Sequence, residues 1–147
     1  MAIPGVKVVT PSTLTDVVGV MAAAIRDDDP MLFFEHKGLY ATKAEVADGE
    51  IVDSLGKANV RRTGRDAAIL ALGLTVQRAL DSADHLAQQG IDAEVIDVRS
   101  LVPLDTATIL SSLQKTGRLF TVEETQAARL GRRDRIHRRR RMLLGRS

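Results

Sequence analysis

The stretch Pro11 to Tyr40, PSTLTDVVGVMAAAIRDDDPMLFFEHKGLY, decides the fold. It reads as a cap, an amphipathic helix, a triple-acid turn closed by proline, a short apolar strand and a polar exit. Leu14, Val17, Val18, Met21 and Ile25 recur at helical spacing, which predicts one apolar stripe facing a core. Thr13 followed by Asp16 is a helix-start pattern in which side chains satisfy free backbone N–H groups. Asp27, Asp28 and Asp29 then stand directly before Pro30. Unpaired carbonyls give a helix C-terminus partial negative charge, so three carboxylates there are locally unfavourable. Two readings stay open. The turn is fully solvated, or carbonyls and carboxylates form an oxygen cage around a hard cation. Neither reading supplies a nucleophile or an acid–base pair.

Working outward, Val6 to Val9 reads as a short strand closed by Thr10 and Pro11, and Met31 to Glu35 as a second. Strand, helix and strand with short connections make a parallel crossover unit, with the acidic turn between its helix and second strand. Gly38 to Gly56 is polar and acidic without apolar periodicity, so a linker and a domain boundary near residue 50 are expected. Beyond it, Lys57 to Val60 reads as a strand. Ala67 to Leu72 is a continuous apolar run of the kind found in strands covered on both faces. Gly73 allows a turn into a helix with Val76, Leu80, Ala83 and Ala87 on one face and a stop at Gly90. Ala93 to Val98 is the next strand. Asp105 caps a helix that buries Ile109, Leu110 and Leu113 and stops at Gly117, and Leu119 to Val122 starts a last strand. This alternation predicts an α/β fold with parallel sheets.

Composition narrows the chemistry. The 147 residues include no cysteine, which excludes disulfides, thiolate catalysis and zinc–thiolate sites. No apolar run reaches the roughly 18 residues of a membrane span, and the first residues lack a leader pattern; a cytoplasmic setting without membrane contact is expected. The net charge of +2 is a sum of unlike parts. Residues 130–147 carry eight Arg against one Asp, and the remainder holds 13 basic and 18 acidic residues, about −5 in all. Gly73 alone is no phosphate loop. His36, His85 and His137 have no second ligand at metal spacing and read as surface or edge residues. No Ser-His-Asp arrangement is legible.

From Ile3 to Glu124 the order of motifs resembles the beta subunits of thiamin-diphosphate-dependent 2-oxo acid dehydrogenases, the pyruvate, branched-chain and acetoin group. AAIRDDDP, EHKGLY, LGKANV, QGIDAEVIDVRSLVPLDTATIL and KTGRL carry the resemblance. It implies residues 1–50 as the end of a transketolase-like pyrimidine-binding domain and 51–129 as an incomplete transketolase C-terminal domain. Residues 130–147 follow as an Arg-rich tail, disordered or out of frame. It also implies a potassium ion held by Ala24, Ile25, Asp27 and Asp29. Asp29 stands where several relatives have Asn, and a carbonyl contact survives that change. Asp97, Arg99 and Asp105 gather at a strand-to-helix loop, where the resemblance implies subunit packing and no catalytic role.

The activity so implied is oxidative decarboxylation of pyruvate or a related 2-oxo acid, with acyl transfer to lipoyl groups. Thiamin diphosphate carries the hard chemistry. The family's ring-activating glutamate, its aromatic contact to that ring and its active-site histidine lie upstream of the residues matched here. The cofactor's pyrophosphate and magnesium belong to the alpha subunit. The expected role of this chain is therefore assembly and a structural cation site, within an alpha2-beta2 tetramer serving a lipoyl acyltransferase. It should be inactive alone and poorly soluble without a partner. Transketolase and deoxyxylulose-phosphate synthase share the domain pair and form one alternative. A non-catalytic module using the Arg-rich tail on nucleic acid or an anionic surface forms another, but the tail lacks aromatic residues for base stacking. One codon choice for LGRRDRI, read one base out of register, gives Trp-Gly-Ala-Glu-Ile-Ala. Relatives start a helix with Gly-x-Gly-Ala-Glu-Ile-Ala at this point, so a frame slip near Ala128 is expected instead of a selected basic tail.

Overall fold

The computed structural model describes residues 4–46, 48–49 and 51–124. The Arg-rich tail, the frame slip near Ala128 and His137 lie outside the described residues. In chain order the elements are β1 (Lys7–Val9), α1 (Leu14–Arg26), β2 (Met31–Phe33), a single 3-10 turn (Lys37–Leu39), β3 (Asn59–Arg62) and β4 (Ala67–Ala71). They continue with α2 (Thr75–Gln88), β5 (Ala93–Asp97), β6 (Ser100–Val102), α3 (Thr106–Thr116) and β7 (Leu119–Val122).

Two sheets result, in the orders β2-β1-β6 and β3-β5-β4-β7. The expected parallel crossovers are present: β1 runs parallel to β2, and β4 runs parallel to both β5 and β7. Each sheet also takes one antiparallel strand at its edge, β6 against β1 and β3 against β5. Strand β6 was not visible in the sequence, where Ser100 to Val102 read as loop. It follows β5 of the second sheet yet completes the first, pairing Val9 with Ser100. The chain thus stitches the two sheets together within a few residues.

The second sheet is sandwiched, as the apolar runs required. Alternate residues of β4 and β5 face opposite ways. Ile69, Ala71, Ala93 and Val95 meet Val76, Ala79 and Ala83 of α2, with Leu80 and Leu86 packed alongside. On the other face Ala68, Leu70, Ile96 and Val98 meet Ala58, Ile109 and Leu119. Gly64 sits in the turn before β4 because a Cβ there would lie 2.3 Å from the backbone carbonyl carbon of Ala93.

Two helices bury other faces than expected. In α3, Leu110 is exposed while Ser112 and Thr116 are buried. The cause is Glu94 of β5, fully covered, which accepts from the Ser112 hydroxyl and the Lys115 ammonium and draws that face inward. In α1 the apolar stripe is only partly covered: Leu14, Val17 and Met21 are half-buried, Val18 is 44% and Ile25 77% exposed, and the fully buried residues are Asp16, Gly19 and Val20. The segment expected to be a free linker packs here. The Asp53 N–H donates to the Gly19 carbonyl at 3.1 Å, and a Cβ on Gly19 would stand 3.0 Å from the Asp53 Cβ. Glycine lets residues 51–53 lie directly on the helix.

Candidate functional site

The cap of α1 forms as the sequence predicts. Thr13 Oγ1 accepts from the Asp16 N–H at 3.1 Å and donates to the Asp16 carboxylate at 2.5 Å. Asp16 is 3% exposed, so its charge needs a partner. Arg99, itself 6% exposed, supplies one through Nη1 at 2.9 Å. The same Nη1 donates to Asp53, and Nε and Nη2 donate to the Lys57 carbonyl at 3.2 and 2.9 Å. One guanidinium therefore joins α1, the segment before β3 and the β5–β6 turn. Burial alone would lower its pKa, but the two carboxylates outweigh that and hold it above its ordinary value. Arg99 adopts φ +52°, a left-handed conformation that non-glycine residues seldom take. The backbone reverses there so that β5 can leave the second sheet and β6 enter the first.

Asp97 lies two residues earlier and is completely buried. Its Oδ2 accepts from the Ser12 hydroxyl, while Oδ1 has no hydrogen-bond partner. Burial pushes the carboxyl from 3.8 up to about 6; Ser12, Arg99 and Arg61 pull it down, and the Asp16 carboxylate pushes it further up. Asp105 caps α3 by accepting from the Thr108 N–H at 3.2 Å, and its other oxygen accepts from the Ala58 N–H at 3.1 Å. The three residues grouped at this loop in the sequence thus do separate work: Asp97 meets Ser12, Arg99 reaches α1, and Asp105 anchors the entry to β3.

At the acidic turn the structure brings in a residue that the sequence reading missed. Lys7 Nζ lies 2.7 and 2.6 Å from the two carboxylate oxygens of Asp27, and 3.1 Å from Asp29. The Asp29 N–H donates to Asp27 Oδ1 at 2.9 Å, and the Asp27 N–H reaches the Ala24 carbonyl at 3.4 Å. Hydrogen bonding from Lys7 holds the Asp27 carboxyl below the usual carboxylate range, and Asp27 in turn raises Lys7. Ala24 and Ile25 close the last turn of α1, with the Ile25 side chain in solvent. An ammonium therefore already fills the role of cation at this turn. A metal ion at Asp27 would compete with Lys7 for the same carboxylate.

A third polar cluster closes the crevice at the carboxyl ends of the strands, the usual ligand position of open α/β sheets. The crevice, about 330 Å³, runs from Thr10, Glu35 and His36 on one side to Gly73, Thr75, Glu123 and Glu124 on the other. His36 Nε2 stands 2.6 Å from Glu124, which also accepts from Arg78 at 2.5 Å. His36 Nδ1 accepts from the Gly38 N–H at 3.0 Å. With both ring nitrogens engaged, His36 ties the two sheets and has no lone pair free for proton abstraction. His85 bonds the Asp81 carbonyl on the surface of α2 at 2.8 Å, in keeping with its reading as a surface residue. Among the described residues no three His, Cys, Asp or Glu converge as a metal centre. None of the three clusters offers the ligand set that magnesium and a diphosphate require.

Residues 56–131 match the family described as transketolase, C-terminal domain. The acetoin:2,6-dichlorophenolindophenol oxidoreductase subunit beta of Cupriavidus necator is 50% identical over 122 residues, which cover 83% of this chain and 36% of that protein. The pyruvate dehydrogenase E1 component subunit beta of Bacillus subtilis is 48% identical over 124 residues, covering 84% and 38%. The 2-oxoisovalerate dehydrogenase subunit beta of the same organism is 45% identical over 122 residues, covering 82% and 37%. Among solved structures, a split-gene transketolase described as an inactive beta4 tetramer superposes with a TM-score of 0.71 at 27% identity, over 84% of this chain and 40% of that one. The chain thus spans less than two-fifths of the length of these curated relatives. The family match covers just over half of this chain, and the beta-subunit identities extend over more than four-fifths of it: the chain belongs to the transketolase C-terminal domain family, and its relatives include beta subunits of pyruvate and 2-oxoisovalerate dehydrogenases and of an acetoin oxidoreductase.

Proposed function

We propose that the chain is the assembly portion of a beta subunit in a thiamin-diphosphate-dependent 2-oxo acid dehydrogenase. The whole subunit acts on pyruvate or a related 2-oxo acid, in an alpha2-beta2 enzyme that passes its acyl group to a lipoyl acyltransferase in the cytoplasm. The observation that carries this reading is identity of 48% and 45% to the beta subunits of a pyruvate and a 2-oxoisovalerate dehydrogenase, beside 50% to that of an acetoin oxidoreductase. Thiamin diphosphate supplies the decarboxylation chemistry when bound, and this reading places it and magnesium on residues outside those described. The described residues build the platform: Arg99 fixes how the two sheets meet, and the exposed stripe of α1 offers Val18 and Ile25 to a neighbouring subunit.

The same reading keeps potassium at Ala24, Ile25, Asp27 and Asp29, with Lys7 yielding Asp27 when the ion enters. Potassium in place of choline at equal ionic strength should then raise the unfolding midpoint, and Asp27→Asn should remove that rise. An identical midpoint in both salts would remove the ion from the account. For the assembly role, the full chain should bind the alpha subunit of a bacterial 2-oxo acid dehydrogenase without decarboxylating any 2-oxo acid. Turnover by the isolated chain, or no association, would count against it.

A further inference from the structure

Asp97 ends β5 of the second sheet, and the only side-chain hydrogen-bond partner of its carboxyl among the described residues, Ser12, sits in the segment between β1 and α1. The carboxyl is completely buried and its Oδ1 is unpartnered. Arg99 is committed elsewhere, to Asp16, Asp53 and the Lys57 carbonyl. Groups facing Asp97 come from every neighbouring element. Ser12 and Asp16 approach from the α1 side, Arg99 from the β5–β6 turn and Arg61 from β3, while its register neighbours Asn59 and Ala71 carry no charge. An ionised carboxylate here would leave one oxygen with neither solvent nor donor, beside a second buried carboxylate. A neutral acid needs far less, since its hydroxyl can donate to Ser12 Oγ.

We propose that the Ser12–Asp97 contact is a proton-held latch between the two sheets, closed while Asp97 is protonated and loosened when the proton leaves to solvent. Opening exposes the carboxyl, lets it ionise and hydrate, and frees the β1–α1 connection from the second sheet. The closed form binds the extra proton, so rising pH favours the open form. The pKa of about 6 places the change just below neutrality. The latch is independent of which 2-oxo acid or partner subunit the family reading assigns.

The test is hydrogen exchange of residues 6–13 in the full chain against pH, corrected for intrinsic exchange. That segment includes the Thr10 N–H, which donates to the Arg99 carbonyl at 2.7 Å. Its opening should rise about tenfold per unit between roughly pH 4 and pH 6 and then level off, while β4 stays unchanged. Asp97→Asn should flatten the profile. Ser12→Ala removes the contact itself, so it should cost protection at acid pH and little above pH 6, flattening the rise; a purely structural loss would weaken protection equally at every pH. A flat wild-type profile, or an Asp97→Asn profile with the same rise, would overturn the latch. If Asp97→Asn does not fold, the carbon-13 titration of the wild-type Asp97 carboxyl decides: a midpoint near 6 supports the latch, and one in the ordinary Asp range refutes it.

Discussion

The two sheets are built to different standards. In the second, every residue of β4 and β5 is buried and helices cover both faces. In the first, three strands of three residues each carry a single helix, which buries Asp16 beside Gly19 and Val20 and leaves Val18 and Ile25 of its apolar stripe exposed. The second sheet is held by packing, the first largely by charge. Arg99, Asp16 and Asp53 fasten α1 to the body, Ser12 meets Asp97, and His36 ties β2 to Glu124. Under the proposed assembly role, the apolar helix face left over is the surface that a neighbouring subunit would cover.

That contrast can be broken by substitution. Arg99→Ala should have the largest effect, about 3–5 kcal/mol, because it leaves the buried Asp16 charge without its cation. Urea unfolding measures the loss, and a change below about 1 kcal/mol would show that the hub is dispensable. In the packed sheet, Ile96→Ala should cost about 2–5 kcal/mol by leaving a cavity. Ile25→Ala on the open helix face should fall within about 0.5 kcal/mol. Equal costs at the two sites would erase the distinction between the sheets.

A pH profile sharpens it. The folded-state pKa of Asp97 is raised from 3.8 to about 6, so its contribution is fully present below pH 3.8 and is lost as pH rises through 6. The loss should approach about 3 kcal/mol, and Asp97→Asn should remove it. Glu94 and Asp105 act in the opposite sense. Burial raises each, but Lys115 and Ser112 around Glu94, and Thr108 and Ala58 around Asp105, bring both below their ordinary values. Their stability is present above the unfolded value and lost as pH falls through the depressed one. Thermal melts from acid to neutral pH should therefore peak between these two limits. The smallest effect belongs to Lys7→Met at the exposed turn. Its signature is a stronger response of the unfolding midpoint to potassium, since Asp27 loses its internal cation; an unchanged response would mean that Lys7 and a metal do not compete.

Much of the second sheet was legible because its cause is local. Ala67 to Leu72 and Ala93 to Val98 are apolar runs bounded by turn residues, and Asp105 and Gly117 mark the ends of α3 as caps do. The first sheet hid its logic in distant pairs. Three residues of β6 carry too little pattern to read as a strand, and they pair with β1 from the far end of the fold. Asp16 looks like a solvent-facing residue of an amphipathic helix until Arg99, 83 positions later, is known to reach it. Burying Asp16 leaves Val18 and Ile25 at the outer edge of the α1 stripe. Lys7 stands 20 positions before Asp27, so the acidic turn read as open to water or metal when an ammonium was within reach. The residues themselves marked the acidic turn and the resemblance located the family, but neither showed the charges that close the turn and fasten the helix.

The measurement that tests the account most directly is light scattering on the full chain, alone and mixed with the alpha subunit of a bacterial 2-oxo acid dehydrogenase. The account predicts self-association of the chain alone, a defined complex with the alpha subunit, and loss of that complex with Val18→Glu on the open face of α1. A monodisperse monomer that melts cooperatively and ignores the alpha subunit would contradict it.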